Sequence, residues 1–385
     1  MQTSIPRKQE IKIKKHLMSF PCVTLLGSRQ VGKSTLAKKI ISTTANSLYI
    51  DLEDPRDINK LTDPITFLEA NRNRLICIDE VQRLPEIFQV FRSYLDQSHR
   101  AGQLLLLGSA SKELIQQSSE TLAGRISYIE IPPFVADEVD DQQRLWLHGG
   151  YPNSYLFDAE LSFDWRINYI RTFLEMDIPA LGIKIPATTL RRFWTMLAHL
   201  NGSLLNASKI ASSMGVSTPT IKHYLDILEG TFVIRQLKPF HTNTKKRLVK
   251  SPKIYIRDSG LIHCLLGIET FNDLLGHPIL GTSYESYIIE SLIQHFPRYT
   301  PSFYRSSSGA EIDLILEKGN HKIAIEIKSS TSPKLTQGFF EAQKVICPTQ
   351  SLVIAPIDEP YPLKQNIWVY NLRHVLHSSF SMIFS

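Results

Sequence analysis

Residues 20–35 read FPCVTLLGSRQVGKST. The short apolar run from Val23 to Leu26 has the length and bounds of a buried strand, and the helical stretch LAKKIISTT begins just beyond. Between them lies Gly27-Ser28-Arg29-Gln30-Val31-Gly32-Lys33-Ser34-Thr35. Glycines at both ends of this loop let backbone N–H groups wrap a phosphate, and the following helix N-terminus adds its dipole. In that setting Lys33 is expected to reach the β- and γ-phosphates and the Ser34 hydroxyl to ligand Mg²⁺. Thr35 is expected to support the first turn. The competing reading, a glycine turn before an ordinary helix, does not explain the strand–loop–helix context.

A phosphate loop of this kind needs a second, acidic strand, and RLICIDEVQ (74–82) supplies one. Asp79 is placed to hold Mg²⁺ through water and Glu80 to polarise an attacking water. SLYIDLED (47–54) reads as an edge strand. QLLLLGSAS (103–111) reads as a strand ending in small polar residues, with Ser109 a candidate γ-phosphate sensor or simply a turn residue. TLAGRISYIEIPPF places Arg125 before a fifth strand, as an arginine finger within its own chain or toward a neighbour, or as a plain surface arginine. His148-Gly149-Gly150-Tyr151-Pro152 predicts a tight turn near the end of this domain.

The chain has 385 residues, enough for two or three domains with real cores. It is 43% hydrophobic and 21% charged, with no low-complexity tract and no apolar run of membrane-spanning length. The basic N-terminus has no apolar region behind it and is not read as a secretory signal. Cys22, Cys77, Cys264 and Cys347 are scattered without CxxC spacing, which argues against structural zinc and for a reducing, cytoplasmic setting. The net charge of +6 permits an anionic partner, and it is uneven: from Arg235 to Arg257 there are eight Lys/Arg and no Asp or Glu.

That basic run follows NASKIASSMGVSTPTIKHYLDILEGTFVIRQLKPF (206–240), which reads helix, turn, helix, hairpin. Ser217 is a good N-cap, Pro219 falls in the first turn, and Ile221, Tyr224, Leu225 and Leu228 make one buried stripe. The Gly215 turn is the helix-turn-helix signature. A wing carrying Lys245, Lys246 and Arg247 would neutralise DNA phosphates. Yet the second helix carries Asp226 and Glu229, and a solvated basic face or a protein adaptor remains an open reading.

The order of GSRQVGKST, LICIDEVQ, GSAS, LAGR, HGGYP, KIYIRDSGL (253–261), GTSYESYIIESL (281–292) and GAEIDLILEKGNHKIAIEIKSS (309–330) resembles a widespread prokaryotic family of AAA-like ATPases. That family is related to the archaeal-type and signal-transduction (STAND) branch. In it a P-loop domain precedes a C-terminal domain of unknown function with a restriction-endonuclease-like core. The resemblance implies that Lys33, Ser34, Asp79 and Glu80 are nucleotide and Mg²⁺ residues, that Arg125 is the γ-phosphate arginine, and that the nucleotide is ATP. Many relatives carry Asn where this chain has Ser109.

The stretch 309–330 reads as a hairpin around a Gly319-Asn320 turn, with Ile312, Leu314 and Leu316 facing Ile327, Ile325 and Ile323. Asp313 then lies opposite Glu326, with Lys328 on the same side, and like charges in that position need a cation between them. Asp313, twelve residues, then Glu326-Ile327-Lys328 resembles the PD-(D/E)xK pattern of restriction-endonuclease-like nucleases. There, two carboxylates bind Mg²⁺ and a lysine orients the attacking water. Glu285, with Glu290 second, is the candidate acid from the preceding helix. A binding-only remnant and a plain surface pair are the alternatives.

The expected fold is α/β: an AAA-like P-loop NTPase domain (1–155), a helical and winged-helix module (156–270) and a restriction-endonuclease-like α/β domain (271–385). The expected cofactors are ATP and Mg²⁺, the expected partner DNA, and a homo-oligomer is possible. No membrane association is expected.

Overall fold

A computed structural model describes residues 5–98, 100–109, 122–240 and 249–377. The chain forms two compact units, one comprising residues up to Phe134 with Gly230–Phe232, the other residues 135–229 and 233 onward.

The first unit is built on five strands: β1 (Cys22–Gly27), β2 (Ser47–Asp51), β3 (Leu75–Asp79), β4 (Leu104–Ser109) and β5 (Ile126–Glu130). They lie in the order β2-β3-β4-β1-β5, and every pairing is parallel. β1 and β4 are buried along their whole length, which is why they read as near-continuous apolar runs: helices cover both faces of a parallel sheet. β2 is an edge strand, as its mixed sequence suggests. The chain leaves β1 for the far edge and returns through β3 and β4, so the ends of β1, β3 and β4 frame the crevice where such sheets bind ligands. The helix Lys33–Ser42 buries Leu36, Ala37 and Ile40 beside the loop that follows β1.

In the second unit the helix Ala207–Met214 ends at Gly215 in a left-handed turn, φ +68°. Ser217 Oγ then accepts the Thr220 N–H at 3.2 Å to open the helix Thr218–Gly230. Ile221, Tyr224, Leu225 and Leu228 are buried along that helix, as their spacing predicts. A two-stranded antiparallel ladder follows, β6 (Ile234–Leu237) with β7 (Lys253–Ile256). Lys245, Lys246 and Arg247 lie outside the described residues.

After the helix Leu280–His295 comes a six-stranded mixed sheet: β8 (Thr300–Arg305), β9 (Glu311–Lys318), β10 (His321–Ile327), β11 (Gln350–Ile354), β12 (Tyr361–Lys364) and β13 (Ile367–Tyr370), in the order β12-β13-β11-β10-β9-β8. β9 and β10 pair in the expected register, Lys318 with His321, Leu316 with Ile323 and Leu314 with Ile325. The ladder stops there. Asp313 Oδ2 accepts the Ile327 N–H at 2.9 Å, and β10 continues as the parallel partner of β11 through Ile327. The second face of the hairpin is not a plain solvent face either: Ile315 and Ala324 pack with Phe339, Ala342 and Ile346 of the helix Gln337–Ile346.

The first compact unit ends at Phe134, not near residue 155. The His148–Gly150 turn belongs to the second unit because it interlocks with the segment after β7. Gly150 N–H donates to Asp258 Oδ2 at 2.8 Å. A Cβ on Gly149 (φ +79°) would lie 2.1 Å from Asp258 Oδ1, and one on Gly260 would lie 2.1 Å from the His148 carbonyl oxygen. Arg235 of β6 and Arg257, just after β7, both bind Glu290 of the helix Leu280–His295.

Candidate functional site

The loop after β1 is shaped for a phosphate by its two glycines. Gly27 passes so close to β5's continuation that a Cβ would lie 2.2 Å from the Ile131 carbonyl oxygen, and Gly32 has φ +92° as it enters the helix. Lys33 is nearly fully buried, and its ammonium donates to the carbonyls of Gly27 and Ser28, both at 2.9 Å. The cation is thus curled into the cradle that a phosphate would fill. Ser34 and Thr35 begin the helix beside it.

β3 brings Asp79 to the same edge. Its Oδ1 accepts the Glu80 N–H at 2.9 Å, and its Oδ2 accepts the Tyr49 hydroxyl from neighbouring β2. Burial, and then Asp79 itself, pushes the Tyr49 pKa upward, so the phenol stays a donor. Glu80 turns the chain with φ +54°. Its Oε2 accepts the Ser109 hydroxyl at 3.1 Å and a Gln82 amide N–H, and Gln82 also donates to Ser109 Oγ at 2.8 Å. Ser109 is registered opposite Gly27 across β4 and β1. Ser109, Glu80 and the phosphate loop therefore meet at one mouth, and this donor set fits a magnesium nucleotide.

Arg125 is elsewhere. It precedes β5, and its carbonyl accepts the Cys22 N–H at 3.2 Å at the start of β1. Cys22 and Gly27 are five residues apart on a straight strand, roughly 17 Å. The side chain pairs with Asp96 and donates to the Ala123 carbonyl at 3.1 Å. The expectation that Arg125 serves the γ-phosphate of its own chain is corrected: it stands at the opposite edge of the sheet, and only a neighbouring subunit's nucleotide remains within that role.

The second candidate site lies where β9 and β10 part. Asp313 and Glu326 are buried, and burial is the largest cause raising both pKa values; Glu285 and then Glu326 add to it at Asp313, and Glu285 and Glu311 add to it at Glu326 against Lys328. Lys328 Nζ donates to Glu326 Oε1 at 2.6 Å, while Glu326 Oε2 is buried without a partner. Burial opposes the charge on Lys328, but Glu326 and Asp313 hold its pKa above the ordinary value. The sequence-predicted set Glu285, Asp313, Glu326 and Lys328 is thus brought into one electrostatic cluster. Glu290 is not in it, being held by the two arginines.

A second cation, a lysine that sequence reasoning missed, faces Asp313 from β7. Lys253 of β7 is 2% exposed, and its Nζ lies 2.8 Å from Glu311 Oε1, 3.1 Å from Glu285 Oε1 and 3.8 Å from Asp313 Oδ1. Tyr255, two residues on, donates its hydroxyl to Glu285 Oε1 at 2.5 Å. Burial opposes the Lys253 charge, but Glu285, Asp313 and Glu311 together hold its pKa above that of a free ammonium. Glu311 was legible in principle, as an acid two residues before Asp313 on the same face of a strand. Lys253 had no local signal, lying sixty residues before Asp313 in a run that reads as basic surface. The Lys253 ammonium thus lies among Glu285, Glu311 and Asp313. Among the described residues no group of three or more His, Cys, Asp or Glu is poised to hold a metal ion.

The parallel sheet, the glycine loop and the acidic strand end define an AAA-like P-loop ATPase domain, and residues 19–139 match a family model described as an AAA domain. Residues 139–272 match a domain of unknown function, DUF8612, and residues 280–375 another, DUF4143. Over 364 residues the chain is 37% identical to an uncharacterized protein of Mycobacterium tuberculosis and equally to one of Mycobacterium bovis, covering 94% of this chain and 82% of each relative. The chain belongs to the family of these mycobacterial proteins. Among solved structures it is similar to a Walker-type ATPase of Pyrococcus abyssi, at 15% identity and a TM-score of 0.43, covering 68% of this chain and 96% of that one. No described helix is long and apolar enough to cross a membrane.

Proposed function

We propose that the chain binds and hydrolyses ATP and uses that cycle to govern a nuclease-like C-terminal domain acting on DNA, through three modules: an ATPase, a helical and winged-helix connector, and the C-terminal domain. The observation that carries the ATPase part is the Glu80 carboxylate, oriented by Ser109 and Gln82 at the mouth of the phosphate loop. A loop that only binds nucleotide needs no such carboxylate. Lys33 would leave its loop carbonyls for the β- and γ-phosphates. Ser34 and Asp79 would hold Mg²⁺, which when bound offsets the charge of those phosphates. Glu80 would take the proton of the attacking water, with Ser109 and Gln82 fixing its aim.

The C-terminal part rests on topology and residues together. A helix, an antiparallel β8–β9–β10 meander, a second helix and a strand parallel to β10 support the restriction-endonuclease-like reading, as does the grouping of Glu285, Asp313, Glu326 and Lys328 in one electrostatic cluster. The ammonium of Lys253 between the acids favours DNA engagement without cleavage over cutting. The test uses the full chain with single-stranded, duplex and branched DNA, with ATP or ADP, with Mg²⁺ or Mn²⁺, beside Asp313→Ala. Salt-sensitive DNA binding that differs between ATP and ADP, without cleavage, is the expected result. Cleavage lost in Asp313→Ala would favour the cutting reading, and no DNA binding in any nucleotide state would contradict both.

A further inference from the structure

We propose that Lys253 is the resident cation of the C-terminal carboxylate cluster and keeps divalent metal out of it. The inference rests on reading Glu285, Asp313 and Glu326 as a nuclease-like ligand set, and it assigns that set a different occupant. Two of those three acids face the Lys253 ammonium, at 3.1 and 3.8 Å, and Glu311 completes the shell at 2.8 Å. A Mg²⁺ or Mn²⁺ shared by Glu285 and Asp313 would need their oxygens at about 2.1 Å, beside an ammonium that lies 3.1 and 3.8 Å from those same carboxylates and would repel it. The third acid, Glu326, is neutralised separately by Lys328 at 2.6 Å.

Lys253 is not a mobile surface chain that swings aside. Its backbone is registered against Leu237 of β6 and bridged to Leu204 on its other side. Its ammonium also lies 5.6 Å from the centre of the Phe303 ring. Strand pairing fixes the backbone, and the side chain, 3% exposed, ends at the carboxylate cluster. Tyr255, from the same strand, donates to Glu285 and leaves that carboxylate with fewer free lone pairs for a metal. The connector strand β7 thus supplies, from outside the PD-(D/E)xK-like segment, the charge that such a segment ordinarily takes from a metal ion.

The test measures Mn²⁺ binding to the nucleotide-free full chain, by the loss of the free-ion electron paramagnetic resonance signal and by calorimetry. It compares the native protein, Lys253→Met, and Lys253→Met with Asp313→Asn. The native protein is expected to show no Asp313-dependent Mn²⁺ site. Lys253→Met should gain one, tighter than any native binding by roughly tenfold or more, since a unit charge near the metal position is removed. The added Asp313→Asn change should abolish it. Lys253→Gln, which keeps hydrogen-bond donors for the carboxylates, serves where the methionine variant folds poorly, and its thermal midpoint should rise with Mn²⁺ while the native midpoint does not. An Asp313-dependent Mn²⁺ site of equal affinity in native protein and variants would overturn the proposal, and so would a Lys253 variant that folds but gains no site. Metal exclusion in a protein that also fails to bind DNA would leave this inference standing and remove the DNA-acting reading instead.

Discussion

Glu80 holds a left-handed backbone conformation at φ +54°, which costs a residue with a β-carbon about 1–3 kcal/mol. The strain is retained where the chain turns its carboxylate toward Ser109 and Gln82. We therefore expect Glu80→Gln to bind ATP with near-native affinity and to lose about 10²-fold or more in turnover, measured by phosphate release beside nucleotide titration. Ser109→Ala should bind ATP normally and lose less, because Gln82 still holds the carboxylate. Equal turnover in Ser109→Ala and native protein would remove Ser109 from the site. Lys33, Ser34, Asp79 and Glu80 were legible because a phosphate loop and its acidic strand have fixed local spacing. Gln82 and Tyr49 were not, since their roles follow from strand neighbours that a linear reading does not pair.

At the scale of elements, the helix Leu280–His295 is fastened to the β6–β7 region by Glu290. Its carboxylate takes two bonds from Arg235, at 2.7 and 2.8 Å, and is reached by Arg257 at 2.6 Å. Burial works against this charge, but the two guanidinium groups win and hold its pKa down at about 2. A carboxylate with a depressed pKa stabilises the fold above its ordinary value of 4.5 and loses that contribution as pH falls toward about 2. Glu290→Gln should cost about 3–5 kcal/mol in urea unfolding at neutral pH, since it leaves two largely buried arginines without their counter-ion. A change under about 1 kcal/mol would mean the pair is solvated instead. The hairpin register was readable to its last paired residues from alternation and the Gly319-Asn320 turn. The opening at Asp313 was not, because it depends on β11 capturing the end of β10.

Across the whole molecule, the boundary placed near residue 155 shows what a sequence hides. The division at Phe134 is set by contacts such as Gly150 with Asp258, more than a hundred residues apart. The second unit also buries histidines. Burial, and next the positive charge of Arg166, pushes His148 down to about 4, while burial and Arg166 leave His263 at about 3 even though the Leu147 carbonyl opposes them. On acidification below 6.5 the unfolded chain takes up protons that these folded imidazoles refuse, so stability falls toward about pH 4. Asp258, pushed up to about 6 by burial, acts in the opposite sense between 3.8 and 6 and offsets part of one histidine. A urea midpoint that is lower near pH 5 than at neutrality, with a shallower slope in His263→Gln, is the expected outcome. The position of Arg125 makes a further whole-molecule prediction. Arg125→Ala should bind ATP normally and lose turnover, and mixing it with Lys33→Ala, inactive alone, should restore part of that turnover through a shared interface. No recovery on mixing would leave Arg125 a structural partner of Asp96.

The most direct test of the central claim is phosphate release from ATP by the purified full chain, alongside Lys33→Ala and Glu80→Gln, with nucleotide binding measured on the same samples. The account predicts Mg²⁺-dependent release by the native protein, neither binding nor release in Lys33→Ala, and binding without release in Glu80→Gln. Release that persists in Glu80→Gln, or a native protein that binds ATP and never hydrolyses it, would contradict it.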